Sequence, residues 1–137
     1  MNYTFKIILL GDCLVGKSSM LSLLKNEIFV NSYCSTIGVD FGSINFEKGD
    51  HNYKIQIWDT GGQERFSPLV KAYYRNSTAA IVMFDLTNRI SFNRVKKWVE
   101  EFNHFTVGHR PIIVVGNKSD LFNMRVLTKA EIKEEIE

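Results

Sequence analysis

A chain of 137 residues has room for one domain and not for two. Its hydrophobic fraction of 45% and charged fraction of 23% are typical of an ordinary globular protein, and a net charge of +2 is too small to indicate a nucleic-acid partner. No apolar run reaches the roughly eighteen residues of a membrane span, and the two cysteines have neither disulfide nor zinc spacing. We therefore expect one domain in the reducing cytoplasm, with no nucleic acid bound.

Strand-like and helix-like patterns alternate along the chain. The predicted elements in chain order are a strand at 3–10, a helix at 17–25, strands at 41–48 and 51–58, a strand at 79–85, a helix capped by Ser91, a strand at 112–115 and a helix after Thr128. Gly49-Asp50 is a hairpin turn signal between two of these strands. The order predicts an α/β fold with a mostly parallel sheet and one antiparallel hairpin strand.

Residues 11–18 read GDCLVGKS, a match to the phosphate-binding pattern GxxxxGK[ST]. The motif directly follows a predicted strand and opens a predicted helix, whose N-terminus favours anionic oxygens. Lys17 would reach the β- and γ-phosphates, and the Ser18 hydroxyl would ligate Mg2+. The nucleotide would also contact the backbone of Leu14, Val15, Gly16, Lys17, Ser18 and Ser19. A glycine-rich turn without a ligand is the alternative.

A second candidate site, DTGGQ, follows the hairpin at residues 59–63. An aspartate directly after an apolar strand, here Asp59, can hold Mg2+. Gly62 can bring its N–H against the γ-phosphate, and Gln63 can orient an attacking water because its amide both donates and accepts. Such Asp-Gly clusters are usually turns, so this prediction depends on the upstream phosphate loop.

The third motif, NKSD at residues 117–120, follows the apolar strand at 112–115. The Asp120 carboxylate can accept hydrogen bonds from N1–H and the N2 amino group of guanine, whereas adenine offers neither donor there. A mismatched base would leave that carboxylate unpaired at a cost of about 1–3 kcal/mol. Asn117 would tie this loop to the phosphate loop, and the stem of Lys118 would lie over the base. A polar turn is the alternative for NKSD alone.

Together these motifs resemble the Ras-like small GTPases, and within them the Rab family. Rab-like stretches are TIGVDF (36–41), KIQIWDT (54–60), GQERF (62–66), YYR (73–75) and SFNRVKKW (91–98). The resemblance implies one small GTPase (G) domain over residues 1–137 with the three-layer P-loop NTPase fold. It further implies a switch in vesicle or membrane trafficking that binds GTP or GDP with Mg2+ and hydrolyses GTP slowly, with Gln63 and Lys17 as catalytic residues.

The same resemblance implies roles for residues that no motif above selects. Thr36 would ligate Mg2+ and touch the γ-phosphate only in the GTP state. Phe29 would pack on the base, and Tyr33 would close over the phosphates. Residues 29–41 and 60–76 would be the two switches, read by effectors, an exchange factor and a GTPase-activating protein.

Strand alternation supports a partner-binding surface. In the second hairpin strand, Trp58 falls on the same face as the polar residues Lys54 and Gln56, and Phe41 falls on the polar face of its neighbour. Tyr73 matches the third member of the aromatic triad that Rab proteins present to effectors. Aromatics on polar faces indicate interface anchors, although helices covering them remain the alternative.

The chain departs from the Rab pattern in three ways. First, it lacks the family's last strand, last helix and prenylated tail, so we expect an incomplete domain without a membrane anchor, weaker guanine affinity, and dimerisation through the exposed edge strand 112–115. Second, Cys13 and Leu14 stand where Ras has glycines, and a side chain at Cys13 would crowd Gln63. Third, Gly61 replaces the usual Ala and should loosen the second switch.

Two other functions stay open at this stage. A truncated module could bind nucleotide and partners with little GTP turnover, although the catalytic motifs are complete. A phosphotransferase could also use the phosphate loop, but it would need an acceptor site, and the NKSD motif opposes it.

Overall fold

The computed structural model describes residues 1–25, 40–59 and 73–137. In these ranges the elements in chain order are β1 (Asn2–Leu10), α1 (Lys17–Leu24), β2 (Asp40–Lys48), β3 (His51–Asp59), β4 (Ala79–Asp85), α2 (Arg89–Asn93), α3 (Val95–Phe105), β5 (Ile112–Asn117), a 3-10 helix (Phe122–Met124) and α4 (Lys129–Ile136). None of the helices in this part of the chain is both long and apolar enough to cross a membrane.

The five strands of the described ranges form one sheet in the order β2-β3-β1-β4-β5. β1 pairs in parallel with β3 and with β4, and β4 pairs in parallel with β5. β2 and β3 form an antiparallel hairpin around Gly49. The predicted mostly parallel sheet with one antiparallel strand is therefore confirmed.

Helices pack on both faces of this sheet because its central strand is apolar on both faces. Ile8 and Leu10 of β1 belong to the larger core cluster, which includes Phe102 and other buried residues of α2 and α3. Leu9 points the other way and packs with Leu21 of α1 in a smaller cluster. Burying each such side chain contributes roughly 1.5–3 kcal/mol, so the alternation along β1 fixes the sheet between two helical layers.

The helix predicted to begin with a cap at Ser91 begins earlier, and that prediction is wrong in its start. Asn88 is the N-cap, since its side-chain oxygen accepts hydrogen bonds from the backbone N–H groups of Ile90 and Ser91. The Ser91 hydroxyl instead accepts a 2.9 Å hydrogen bond from the backbone N–H of Asp85. The segment is also divided at Arg94 into α2 and α3.

The C-terminal part follows the sequence patterns closely. β5 is an edge strand of the described sheet, and its Ile113 is 58% exposed. The predicted start of the last helix after Thr128 is confirmed, because Thr128 and Glu131 form a capping box in which each side chain bonds the other residue's backbone.

Candidate functional site

Four parallel strands end at the same edge of the sheet and bring the three motifs together. Loop 11–16 leaves the end of β1, and the strand register places Leu9 of β1 beside Asp59, the last residue of β3. Asp85 and Asn117, the last residues of β4 and β5, are likewise register partners. The carboxyl ends of parallel strands are where α/β proteins bind ligands, so this edge is the candidate site.

The loop at residues 11–16 has a shape that only glycine permits at two positions. Gly11 and Gly16 have φ values of +140° and +101°. A Cβ at Gly11 would lie 2.2 Å from the carbonyl oxygen of Met83, and a Cβ at Gly16 would lie 2.2 Å from Nδ2 of Asn117. The glycines of the motif therefore allow close approach to β4 and β5 as well as the turn itself.

Lys17 places a buried positive charge inside this loop. The side chain is only 4% exposed, and its ammonium donates hydrogen bonds to the carbonyl oxygens of Gly11 and Asp12, the latter at 2.8 Å. Lys17 is also the first residue of α1, whose N-cap Gly16 has no capping side chain. The cation and the positive end of the helix dipole together favour an anionic ligand such as phosphate.

Ser18 and Asp59 bring two oxygen donors together at the end of β3. The Ser18 hydroxyl donates a hydrogen bond to Oδ2 of Asp59, whose side chain is fully buried at the end of β3. Mg2+ prefers oxygen ligands and usually takes only one or two from protein, with the rest from phosphate and water. No group of three or more His, Cys, Asp or Glu side chains in the described ranges could hold a metal ion alone. The pair therefore fits Mg2+ bound together with a phosphate ligand.

The NKSD segment is tied to the phosphate loop by Asn117. Its side-chain Nδ2 donates a 2.8 Å hydrogen bond to the carbonyl oxygen of Val15. Lys118 follows with a φ of +66°, and Asp120 lies exposed in the turn beyond it. The contact that the sequence suggested for Asn117 is therefore present, and Asp120 is accessible to a ligand.

Asp85 belongs to the site although the sequence analysis did not select it. The Lys118 ammonium lies 2.8 Å from Oδ2 of Asp85, and both the backbone N–H and the hydroxyl of Thr87 donate to Oδ1. Burial alone would raise the pKa of Asp85, but the hydrogen bonds from Lys118 and Thr87 outweigh it and hold the pKa below its usual value. The available signal was its position, since Asp85 ends an apolar strand as Asp59 does.

The remaining predicted nucleotide residues divide into two groups. Val15 is buried, Ser19 is half-buried in the first turn of α1, and Leu14 is exposed. Cys13, one of the departures from the family pattern, is exposed as well. The predicted residues that lie outside the described ranges are Phe29, Tyr33, Thr36, Gly61, Gly62 and Gln63.

The three predicted partner-binding aromatics form one continuous cluster. The ring centroids of Phe41 and Trp58 lie 4.9 Å apart, and those of Trp58 and Tyr73 lie 5.3 Å apart. The Lys6 ammonium lies 5.1 Å from the Trp58 ring and 5.2 Å from the Tyr73 ring, and burial lowers the pKa of Lys6. Phe41 is 42% exposed, so the cluster reaches the protein surface.

Comparison with known proteins places the chain in a family. The model of the Ras family matches residues 6–137. GTP-binding protein ypt1 of Schizosaccharomyces pombe is 42% identical over 133 residues, which are 97% of this chain and 66% of that protein. From Arabidopsis thaliana, Ras-related protein RABA6b is 42% identical over 96% of this chain and 58% of its own length, and Ras-related protein RABD2a is 43% identical over 92% and 62%.

The chain thus spans between 58% and 66% of the length of these three relatives. Their alignments cover most of this chain, and their names agree with the Rab-like motifs in the sequence. The chain belongs to the Ras family, and the predicted resemblance to its Rab members is confirmed.

Proposed function

We propose that this chain binds GTP or GDP with Mg2+, hydrolyses GTP slowly, and acts as a switch in membrane trafficking. The observation that carries the proposal is the convergence of its three motifs on one loop. Ser18 of the motif at residues 11–18 bonds Asp59, and Val15 of the same motif accepts a hydrogen bond from Asn117. A phosphate-binding loop, a metal-binding acid and a base-binding segment would then face the same bound molecule.

The phosphates would lie against the motif at residues 11–18, which comprises the loop at 11–16 and the start of α1. Lys17 would hold the β- and γ-phosphates, assisted by the backbone amides of the first helical turn. Ser18 and Asp59 would hold Mg2+, with Thr36 as a further ligand in the GTP state according to the family resemblance. When bound, Mg2+ would neutralise charge on the phosphate oxygens.

Guanine would be selected by the segment that follows β5. Asp120 would accept hydrogen bonds from the base, and the Lys118 stem would lie along it while its ammonium stays on Asp85. Asn117 would fix the distance between this segment and the phosphate loop, because it bonds Val15 directly. Phe29 and Tyr33 would complete the nucleotide contacts, as the family resemblance implies.

Hydrolysis would depend on positioning and charge stabilisation more than on proton transfer by the protein. Gln63 would orient the attacking water, Gly62 would contact the γ-phosphate, and Lys17 would stabilise developing negative charge. An arginine from a GTPase-activating protein would complete the site. We expect a slow intrinsic rate because the Cys13 side chain would crowd Gln63 and because Gly61 should loosen the second switch.

Partner proteins would read the nucleotide state through the aromatic cluster of Phe41, Trp58 and Tyr73. Large aromatic side chains near the surface are common anchors of protein interfaces. Phe41 and Tyr73 come from the two predicted switches, and Trp58 lies between their rings. The edge strand β5, with its exposed Ile113, provides a second surface that could pair with another copy of the chain.

The test is the nucleotide carried by the purified protein and its fate. Denatured protein should release guanine nucleotide in a near-equal molar amount, and protein reloaded with GTP should convert it to GDP in a single turnover. The matched control is Gln63→Leu, which should bind GTP equally and hydrolyse it at least about tenfold more slowly. Release of adenine nucleotide, or equal hydrolysis by the variant, would contradict the proposal.

A further inference from the structure

The second residue of the phosphate loop is anchored to a helix outside the nucleotide site. Oδ2 of Asp12 accepts a 2.9 Å hydrogen bond from Nη1 of Arg94, and Oδ1 accepts a 3.0 Å hydrogen bond from Nε1 of Trp98. Arg94 lies at the junction of α2 and α3, and Trp98 lies one turn into α3. Both carboxylate oxygens of a loop residue are therefore attached to the same helical segment.

This contact is built into the fold. The Asp12 and Trp98 residues are 8% and 2% exposed, so the carboxylate and the indole meet in the interior. The Arg94 side chain is 47% exposed and reaches the carboxylate from the surface. Charge-assisted hydrogen bonds of this length are among the stronger ones in proteins, and a buried carboxylate deprived of such a donor is costly.

Asp12 also contacts the side chain that would hold the phosphates. Its backbone carbonyl accepts a 2.8 Å hydrogen bond from the Lys17 ammonium. The two donors hold the Asp12 side chain against α3, and this attaches to the helix the stretch of loop backbone that carries the acceptor of Lys17. The same two donors keep a negative charge directed towards α3 and away from an anion-binding loop, where it would repel phosphate.

We infer that Arg94 is a positioning residue for nucleotide retention, acting through Asp12 on Lys17. The inference rests on the proposed nucleotide site and extends it to a residue outside the three motifs. Loss of Arg94 partly releases the Asp12 carboxylate from α3. The backbone carbonyl of Asp12 then holds the Lys17 ammonium less firmly, and the released negative charge weakens the field that attracts phosphate. Arg94 therefore sets the rate at which bound nucleotide leaves.

The experiment measures the release of a fluorescent GDP analogue from Mg2+-loaded protein after addition of excess GDP. Arg94→Gln should speed release by about fivefold or more, the lower end of typical coupling between sites. Arg94→Lys keeps the charge and should stay closer to the original rate. Because Arg94 is half-exposed, neither change opens a cavity in the core. The matched control is Arg89→Gln, which breaks the exposed Arg89–Glu131 ion pair and should not alter release.

A double variant separates positioning from a merely structural role. Adding Asp12→Asn to Arg94→Gln removes the released negative charge while keeping an oxygen for Trp98, so release should slow again, partway to the original rate. Unchanged release in Arg94→Gln, even with a lowered unfolding midpoint, would overturn the inference. So would a double variant that releases nucleotide as fast as Arg94→Gln or faster. If the unmodified protein does not retain guanine nucleotide at all, the proposed function itself fails and this inference falls with it.

Discussion

Replacement of Gly16 by alanine tests the close approach of the phosphate loop to β5. The backbone at Gly16 has a φ of +101°, where an L-residue is strained by about 1–3 kcal/mol. The added Cβ would lie 2.2 Å from Nδ2 of Asn117, so Asn117 must give up its hydrogen bond to Val15, worth about 0.5–1.5 kcal/mol. We expect Gly16→Ala to lower the free energy of unfolding by about 2–4 kcal/mol.

Gly49→Ala is the matched control for backbone strain without crowding. Gly49 also has a positive φ, +60°, but an added Cβ there meets nothing within 4 Å. The left-handed conformation alone should cost alanine about 1 kcal/mol. Urea unfolding followed by far-ultraviolet circular dichroism measures both variants, and release of fluorescent GDP should accelerate only in Gly16→Ala. Equal destabilisation of the two variants, or unchanged release from Gly16→Ala, would refute the geometry assigned to this loop.

Three further predictions concern single residues of the candidate site. Asn117→Ala should weaken GDP binding about tenfold in a fluorescence titration, because the hydrogen bond from Asn117 to Val15 is lost. Unchanged affinity would show that GDP binding does not depend on this hydrogen bond. The pKa of Asp85 is lower in the folded chain, so its stabilisation is present above its unfolded pKa of about 3.9 and is lost as pH falls through the folded value. Below about pH 4, the free energy of unfolding should therefore fall less steeply with decreasing pH for Asp85→Asn than for the original chain. Identical slopes would contradict this. Chelation of Mg2+ should speed GDP release from the original chain but have little effect on Ser18→Ala; an equal response in both would exclude Ser18 as a ligand.

The alternation of strands and helices was predictable because each element has a local pattern. The apolar run of β1, the Gly49-Asp50 turn and the Thr128 capping box each act within a few residues, so the sheet and its antiparallel strand followed from them. The predicted helix start at Ser91 is wrong for a physical reason. Asn88 and Ser91 are both good capping residues, and the choice depends on Ser91 bonding the end of β4, a contact that local sequence does not reveal.

The candidate site was predictable as far as its motifs reach. Lys17, Ser18, Asp59 and Asn117 are selected by short patterns with fixed chemistry, and the strand order brings them together. Asp85 and Arg94 were not selected, because each acts through a contact between segments far apart in the chain. Such pairs depend on the packing of β4 and α3 against the site, which no single motif encodes.

The supporting contacts around the site also explain why its loop is so closely constrained. Gly16 lies against Asn117, Val15 accepts from the same side chain, and Asp12 is anchored to α3. These contacts come from β5 on one side and from α3 on the other, so the loop does not depend on its own sequence alone. A preorganised loop of this kind spends less of its binding free energy on becoming ordered when phosphate binds.

Competition between guanine and adenine nucleotides tests the central claim most directly, because only a site that combines the loop, Asp59 and the segment at 117–120 can read both phosphates and base. Fluorescent GDP bound to the chain with Mg2+ is displaced by increasing GDP or ADP. We expect GDP to displace it near stoichiometric concentration and ADP to need at least about a hundredfold more, because Asp120 loses its donors on adenine. Equal displacement by both nucleotides, or no binding of either, would contradict the account.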